Sequence, residues 1–487
     1  MKPTERKDSN SMMTNVGELK SSGYQSISIK DELRQNLIKH LEAGTTVFGE
    51  VHGFEDSVLP ELERAILSRH NINFLGLRGQ AKTRLARLMI NLLDEYIPYV
   101  TGSEINDDPL APISRFAIDL IAEKGDQTAV SWLHRSQRYS EKLATPDVTV
   151  ADLIGDIDPI KAANLKLSYA DDRVIHFGMI PRANRCIFVL NEIPDLQARN
   201  QVALFNILQE GDIQIRGFKI RLPLDLQFVF TANPEDFTNR GSIVTPLKDR
   251  IGSQILTHYP ANIAVARKIS AQEARINEAQ ASRVYVPDLA YNLLEQIIFE
   301  ARDSEYIDQK SGVSARMSIS MLESLVSTAE RRALINKEKT TTVRLADFMG
   351  IIPAITGKVE LVFEGEQEGA AFVAEQLIGA AIKTFWPNLF PKIGKLNKKA
   401  DLSPYTGTTE AIYSQGGVIL YDECDQKEYA SCLNKIKPLE DLMLQYQPKF
   451  EPKDQLFLKE FMLWALAEQE QLGKERLKNG FQFNEFI

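Results

Sequence analysis

The chain has 487 residues, of which 44% are apolar and 25% charged, with a formal net charge of -9. That length accommodates two or three domains, each burying its own core, and the acidic balance gives no direct evidence for nucleic acid and argues against a dedicated nucleic-acid binder. No run of about eighteen apolar residues occurs, which speaks against a membrane-spanning helix, and Cys186, Cys424 and Cys432 have no metal-ligand or disulfide spacing, which points to a reducing cytoplasm.

In chain order, residues 1–27 are polar and lack an apolar signal core, so they are expected to form a flexible tail. Residues 28–48 and 56–69 carry helical apolar spacing. The apolar run Ile72–Leu75 is followed by Gly76-Leu77-Arg78-Gly79-Gln80-Ala81-Lys82-Thr83 and then a helical pattern from Arg84. Strand, glycine-bearing loop, Lys-Thr and helix together form the phosphate cradle of a P-loop. Ala81 stands where the glycine before the lysine is expected. Its methyl falls where the backbone approaches phosphate, at a place that also favours glycine conformationally.

Helices are expected near 84–96 and 114–123, followed by a less regular stretch from 125 to 180. Cys186–Leu190 reads as a buried parallel strand, a helix covers 196–209, and the alternation around Gly217-Phe218 reads as a hairpin. Leu226–Thr231 is the next strand. Strands separated by helices argue for a parallel sheet covered on both faces. After 262 the pattern turns helical, over 271–281, 286–303, 316–336, 344–357 and 366–385. A loop or linker is placed at 392–417 and a last helix at 453–472.

Companion residues for a P-loop stand at the strand ends. Asn191 and Glu192 follow the Cys186 strand. A nucleotide hydrolase offers an acidic residue to the Mg²⁺ shell there, then a glutamate that polarises the attacking water. Glu192 holds the base position, while Asn191 can hydrogen-bond to metal-bound water without bringing charge. Asn233 closes the Leu226 strand and is placed to hold the water, and Arg250 in Pro246-Leu247-Lys248-Asp249-Arg250 is placed to reach a phosphate in an adjacent subunit. Arg182 and Arg185 are left without a role. Arg216, Lys219 and Arg221 on the hairpin fit a pore or partner contact, or simply a solvated strand face.

These motifs resemble AAA+ ATPases of the group containing MoxR-like proteins and the magnesium chelatase ATPase subunit. The resemblance rests on Gly76–Thr83, on DLIGDIDPIKA at 152–162, on RCIFVLNEIPDL at 185–196, on FTANPED at 230–236 and on PLKDR at 246–250. It covers roughly residues 28–350. It implies that ATP and Mg²⁺ are held by Gly76, Gly79, Gln80, Ala81, Lys82, Thr83 and Arg84, with Thr83 and Asn191 on the metal. It further implies Glu192 as catalytic glutamate, Asn233 as first sensor, Arg250 as arginine finger and Arg316, in Ser314-Ala315-Arg316, as the sensor on a lid helix.

The expected fold is therefore an α/β/α P-loop core at 28–260, an α-helical lid at 261–357 and a mainly helical C-terminal extension at 358–487. The implied function is ATP-driven, chaperone-like remodelling of a partner, by a ring that is expected to be a hexamer. The family suggests a partner carrying a von Willebrand factor A domain. Three alternatives stand beside it: a nucleotide-gated scaffold without turnover, an ATPase subunit of a metal chelatase, and an enhancer-binding transcription activator. The last is ranked lowest, because no Gly-Ala-Phe-Thr-Gly-Ala loop is present.

Overall fold

The computed structural model describes residues 13–168, 171–214, 221–234, 242–393 and 403–486. The chain falls into two units, Met1–His258 and Tyr259–Ile487.

Five strands form the sheet of the first unit: β1 (Ile72–Leu75), β2 (Tyr139–Leu143), β3 (Cys186–Asn191), β4 (Leu226–Ala232) and β5 (Ser253–Leu256). All pairings are parallel, and the spatial order is β5-β1-β4-β3-β2. β3 and β4 are buried at every position, as strands covered on both faces must be. Their alternate residues feed two separate cores. Phe188, Leu190, Phe228 and Phe230 join one cluster. Ile187, Val189 and Val229 join Ile72 and Phe74 in the other, which also takes residues of the helices Ile29–Glu42, Val58–Leu67 and Lys82–Leu88. The first unit is thus a helix–sheet–helix sandwich. Its strand order reverses beside β1, which places the carboxyl ends of β1, β4 and β3 side by side.

The stretch 125–180, expected to be irregular, carries the edge strand β2. It also carries Val130–His134, paired antiparallel with Tyr96–Val100, and the short pair Gly155–Ile157 and Ile175–Phe177. A second correction concerns the expected tail at 1–27. Asn15 caps a helix over Val16–Ser21 whose Val16 and Leu19 are buried. The Val130 amide donates to the Thr14 carbonyl at 3.0 Å or less (2.9 Å), and the Trp132 indole donates to Met13 O at 2.9 Å. Residues 1–12 lie outside the described residues.

The second unit contains the long helices Asp288–Asp303, Ala315–Ile335, Ala370–Leu389 and Gln455–Glu468. A three-stranded antiparallel sheet of Val418–Tyr421, Gly480–Asn484 and Gly473–Leu477 accompanies them. The expected lid and extension share one core. A single cluster runs from Val284 to Phe483 and encloses Trp386 and Trp464. In the expected linker at 392–417, Thr406–Ser414 is a helix that buries Thr408 and Ile412; residues 394–402 lie outside the described residues. Among the described residues, no helix is long and apolar enough to cross a membrane.

Candidate active site

The loop after β1 is fixed at both ends. The Gly76 amide donates to Ala232 O of β4 at 3.1 Å, and a β-carbon at Gly76 would run into the side chains of Thr257 and Gln80. Those two side chains meet in a buried hydrogen bond, Thr257 Oγ1 donating to Gln80 Oε1 at 2.8 Å. Gln80 therefore ties the loop to the residue after β5. Ala81 has φ +55° and ψ +16°, the left-handed conformation that suits glycine, and the helix Lys82–Leu88 starts from it. Its methyl packs against the core cluster around Phe74 and Leu85. The departure at 81 thus keeps the loop's shape at a cost of about 1 kcal/mol of backbone strain.

Lys82 is buried, and its ammonium sits among acceptors. It donates to Gly76 O, to Leu77 O at 3.0 Å and to Asn233 Oδ1 at 2.6 Å. The Asn233 amide in turn donates to Glu192 Oε2 at 2.9 Å. Glu192, with φ +54°, turns the chain sharply at the end of β3, and its amide is held by Thr231 Oγ1 at 3.1 Å. Such left-handed non-glycine residues are uncommon and cluster at functional sites. Lys82, Asn233 and Glu192 thus form one hydrogen-bonded chain across the ends of β1, β4 and β3.

A second chain begins at Thr83. Its hydroxyl donates to Asn191 Oδ1 at 3.3 Å, and Thr231 Oγ1 donates to the same oxygen at 3.1 Å. The Asn191 amide nitrogen donates to Glu141 Oε1 at 2.5 Å. The other oxygen of Glu141 accepts from the Tyr139 hydroxyl and from Arg87, each at 3.0 Å. The hydrogen bond to Glu141 holds the Arg87 pKa above its ordinary value. Burial, then the Glu141 charge, pushes the Tyr139 hydroxyl up. Glu141 lies on β2, outside any motif read from the sequence. Thr83 and Asn191 offer only oxygen donors, which fits a hard cation such as Mg²⁺. Among the described residues no group of three or more His, Cys, Asp or Glu is placed to hold a metal. Mg²⁺ in nucleotide sites takes only one or two protein ligands besides phosphate oxygens, so that is no objection.

Within the first unit, Arg84 and Arg250 are engaged elsewhere. Arg84 pairs with Glu50 at 3.1 Å. Arg250 donates to Gln209 Oε1 at 2.7 and 3.0 Å and to Pro246 O at 2.7 Å, with its guanidinium 5.2 Å from the Phe205 ring centroid. Arg316 is exposed in the first turn of Ala315–Ile335, in the second unit. Arg185, left open above, is buried: it pairs with Asp108 at 3.2 Å and donates to Pro98 O at 2.6 Å. That excludes it from a surface role. The hairpin strands Asp212–Gln214 and Arg221–Pro223 pair antiparallel, and Arg221 meets Asp212 at 3.4 Å. Arg216, Gly217, Phe218 and Lys219 lie outside the described residues, as do Glu235 and Asp236.

Residues 165–254 match the sigma-54 interaction domain family. That span holds β3, β4, Glu192, Asn233 and Arg250. No curated protein matches the chain. Solved structures that resemble it include a Cytophaga hutchinsonii protein provisionally designated an ATPase, 16% identical at a TM-score of 0.29, over 74% of this chain and 97% of that one. NtrX from Brucella abortus in complex with ADP is 14% identical at 0.32, over 64% and 52%. The complex between subunits BchI and BchD of magnesium chelatase gives 19% identity at 0.34, over 66% and 98%. These values transfer no residue roles. The parallel sheet, its strand order and the matched segment give the first unit an AAA+ P-loop fold, followed by a substantial helical region.

Proposed function

We propose that this chain is a Mg²⁺-dependent ATP hydrolase that works as an oligomeric ring and remodels a partner protein in the manner of MoxR-type AAA+ proteins. The observation that carries the reading is the convergence of Lys82, Asn233 and Glu192 in one hydrogen-bonded chain at the carboxyl ends of three adjacent strands. Lys82 donates to oxygen acceptors at Gly76, Leu77 and Asn233, and phosphate oxygens would bind it by displacing one or more of them. Thr83 and Asn191 would hold Mg²⁺, which supplies neutralisation of charge on the phosphates. Glu192 accepts the proton of the attacking water, and Asn233, bonded to both Lys82 and Glu192, keeps base and phosphate binder in register. Arg250 would leave Gln209 to stabilise the transferring phosphoryl group of a neighbouring subunit, and Arg316 would serve as the lid sensor. The MoxR-like motifs suggest a client with a von Willebrand factor A domain.

A second reading, a scaffold that binds ATP without turnover, is favoured by one residue: Asn191 brings no charge where the metal shell expects it. Binding of a fluorescent ATP analogue and steady-state phosphate release separate the two. Lys82→Ala is expected to weaken analogue binding by about a hundredfold or more, given the charge-assisted bonds it loses. Glu192→Gln is expected to keep binding and lose turnover. Unchanged affinity in Lys82→Ala sinks the nucleotide site, and a wild type that binds but releases no phosphate establishes the scaffold.

A further inference from the structure

We propose that Glu141 is a positioning residue for the Mg²⁺ shell: its carboxylate orients and polarises the Asn191 amide, so that the pair does the work of a single aspartate. The inference rests on the nucleotide-site reading above. Four observations carry it.

The first is register. Glu141 pairs with Val189 and Leu143 with Asn191 across the parallel β2–β3 contact. Residues two apart on a strand share a face, so Glu141 stands diagonally opposite Asn191 on the same face of the sheet. That face also takes the helix carrying Thr83 and Arg87.

The second is orientation. An asparagine amide can point either way, and here both ends are committed. Its oxygen accepts from Thr83 and Thr231, and its nitrogen donates to Glu141. Only one orientation satisfies all three bonds, and it turns the carbonyl oxygen toward the P-loop threonine. A glutamine in place of Glu141 keeps an acceptor oxygen but brings no charge, and because its NH₂ can also face the Asn191 oxygen, the orientation of the Asn191 amide is no longer fixed from that side.

The third is charge. A hydrogen bond from an amide N–H to a carboxylate is short and strong, and bonds in series polarise one another. At 2.5 Å, the Glu141–Asn191 bond draws electron density toward the Asn191 oxygen, which is the end facing the metal site. The negative charge missing at 191 thus stands one side chain away.

The fourth is that Glu141 is itself held in place. Its second oxygen takes Tyr139 and Arg87, leaving the first for Asn191. Its strand is anchored immediately upstream, where buried Arg138 forms a two-pronged pair with Glu32 at 2.6 Å per bond and its carbonyl accepts from the Ile187 amide at 3.0 Å. A surface pair with Arg87 alone would not account for this arrangement: Arg87 is 63% exposed, and such pairs contribute little.

The test is a charge exchange read by binding rather than by turnover. Affinity for N-methylanthraniloyl-ATP is measured with Mg²⁺ and with EDTA, in wild type, Glu141→Gln and the double variant Glu141→Gln/Asn191→Asp. Thermal melting establishes that each variant is folded. In Glu141→Gln the enhancement of affinity by Mg²⁺ is expected to fall by roughly tenfold, the difference between a charged and a neutral hydrogen bond, with affinity in EDTA unchanged. In the double variant, which returns the carboxylate to 191 and leaves an amide at 141, the enhancement is expected to recover. Full Mg²⁺ enhancement in Glu141→Gln overturns the proposal. So does a loss that the double variant fails to recover, since Glu141 would then serve the fold and not the metal. Absence of analogue binding by wild type in both conditions instead removes the nucleotide-site reading, and this inference with it.

Discussion

Two corners of the same site differ in how they are built. At the β1–β4–β3 corner, Lys82, Asn233 and Glu192 are the residue types the motif calls for, and they bond directly to one another. At the β2–β3 corner, the aspartate is replaced by Asn191, and the nearest carboxylate is Glu141 on an edge strand. The first corner is specified by local spacing after each strand. The second is specified by strand register, which brings together residues 50 positions apart. A departure from a motif at one position therefore does not measure the loss of chemistry; what stands across the sheet has to be counted too.

The largest effect should come from the first corner. Asn233→Ala cuts both links of the Lys82–Asn233–Glu192 chain, and removal of one preorganised donor at a reacting centre typically costs about 10²–10³-fold in turnover. Phosphate release is expected to drop by that range while affinity for the ATP analogue changes only a few-fold. Equal losses in both would make Asn233 a binding residue and weaken the contrast between the corners. The next effect belongs to the second corner and has an unexpected sign. Asn191→Asp restores the motif on paper, yet it puts a carboxylate at hydrogen-bonding distance from Glu141 and removes the amide donor between them. Two like charges so placed repel. The single variant is expected to show an enhancement by Mg²⁺ about tenfold below wild type, a size set by the charged bond it removes. Tighter Mg²⁺-dependent binding in Asn191→Asp would mean that Glu141 plays no part.

The contrast also explains what was legible in the sequence. The run Cys186–Leu190 is uniformly apolar, and Ile72–Leu75 and Leu226–Thr231 are mostly so, because those strands are buried on both faces, so β1, β3 and β4 and the residues that follow them could be read directly. β2, Tyr-Ser-Glu-Lys-Leu, lies at the sheet edge with no fully buried residue, and β5, Ser-Gln-Ile-Leu, buries one. Neither carries an apolar signal, and with β2 unseen Glu141 had no place. The anchor of β2 was equally hidden, since Glu32 and Arg138 are 106 residues apart. The shared core of the second unit was hidden for a related reason. Helical periodicity marks each helix but does not say which helices share a core, and the expected lid and extension pack into one cluster. For Arg185, a sequence position beside an apolar strand gives no sign of the buried pair with Asp108.

The smallest expected effect sharpens the comparison from the side of the first corner, where Ala81 is the other departure. Its left-handed backbone shows that the position asks for glycine's conformation, and alanine adopts that conformation at modest strain. Glycine at 81 would relieve the strain but lose the methyl's packing against the core, and it would add freedom to the unfolded chain. These terms oppose one another at about 1 kcal/mol each, so Ala81→Gly is expected to move the melting temperature by only a few degrees. Nucleotide affinity should change by less than about threefold, because the loop's shape, its tie through Gln80 to Thr257 and the Lys82 bonds all remain. A rise of tenfold or more in affinity would mean that the methyl obstructs the phosphate cradle despite its packing. The first corner would then also be compromised, and the difference between the corners would reduce to which of them has found a compensating neighbour.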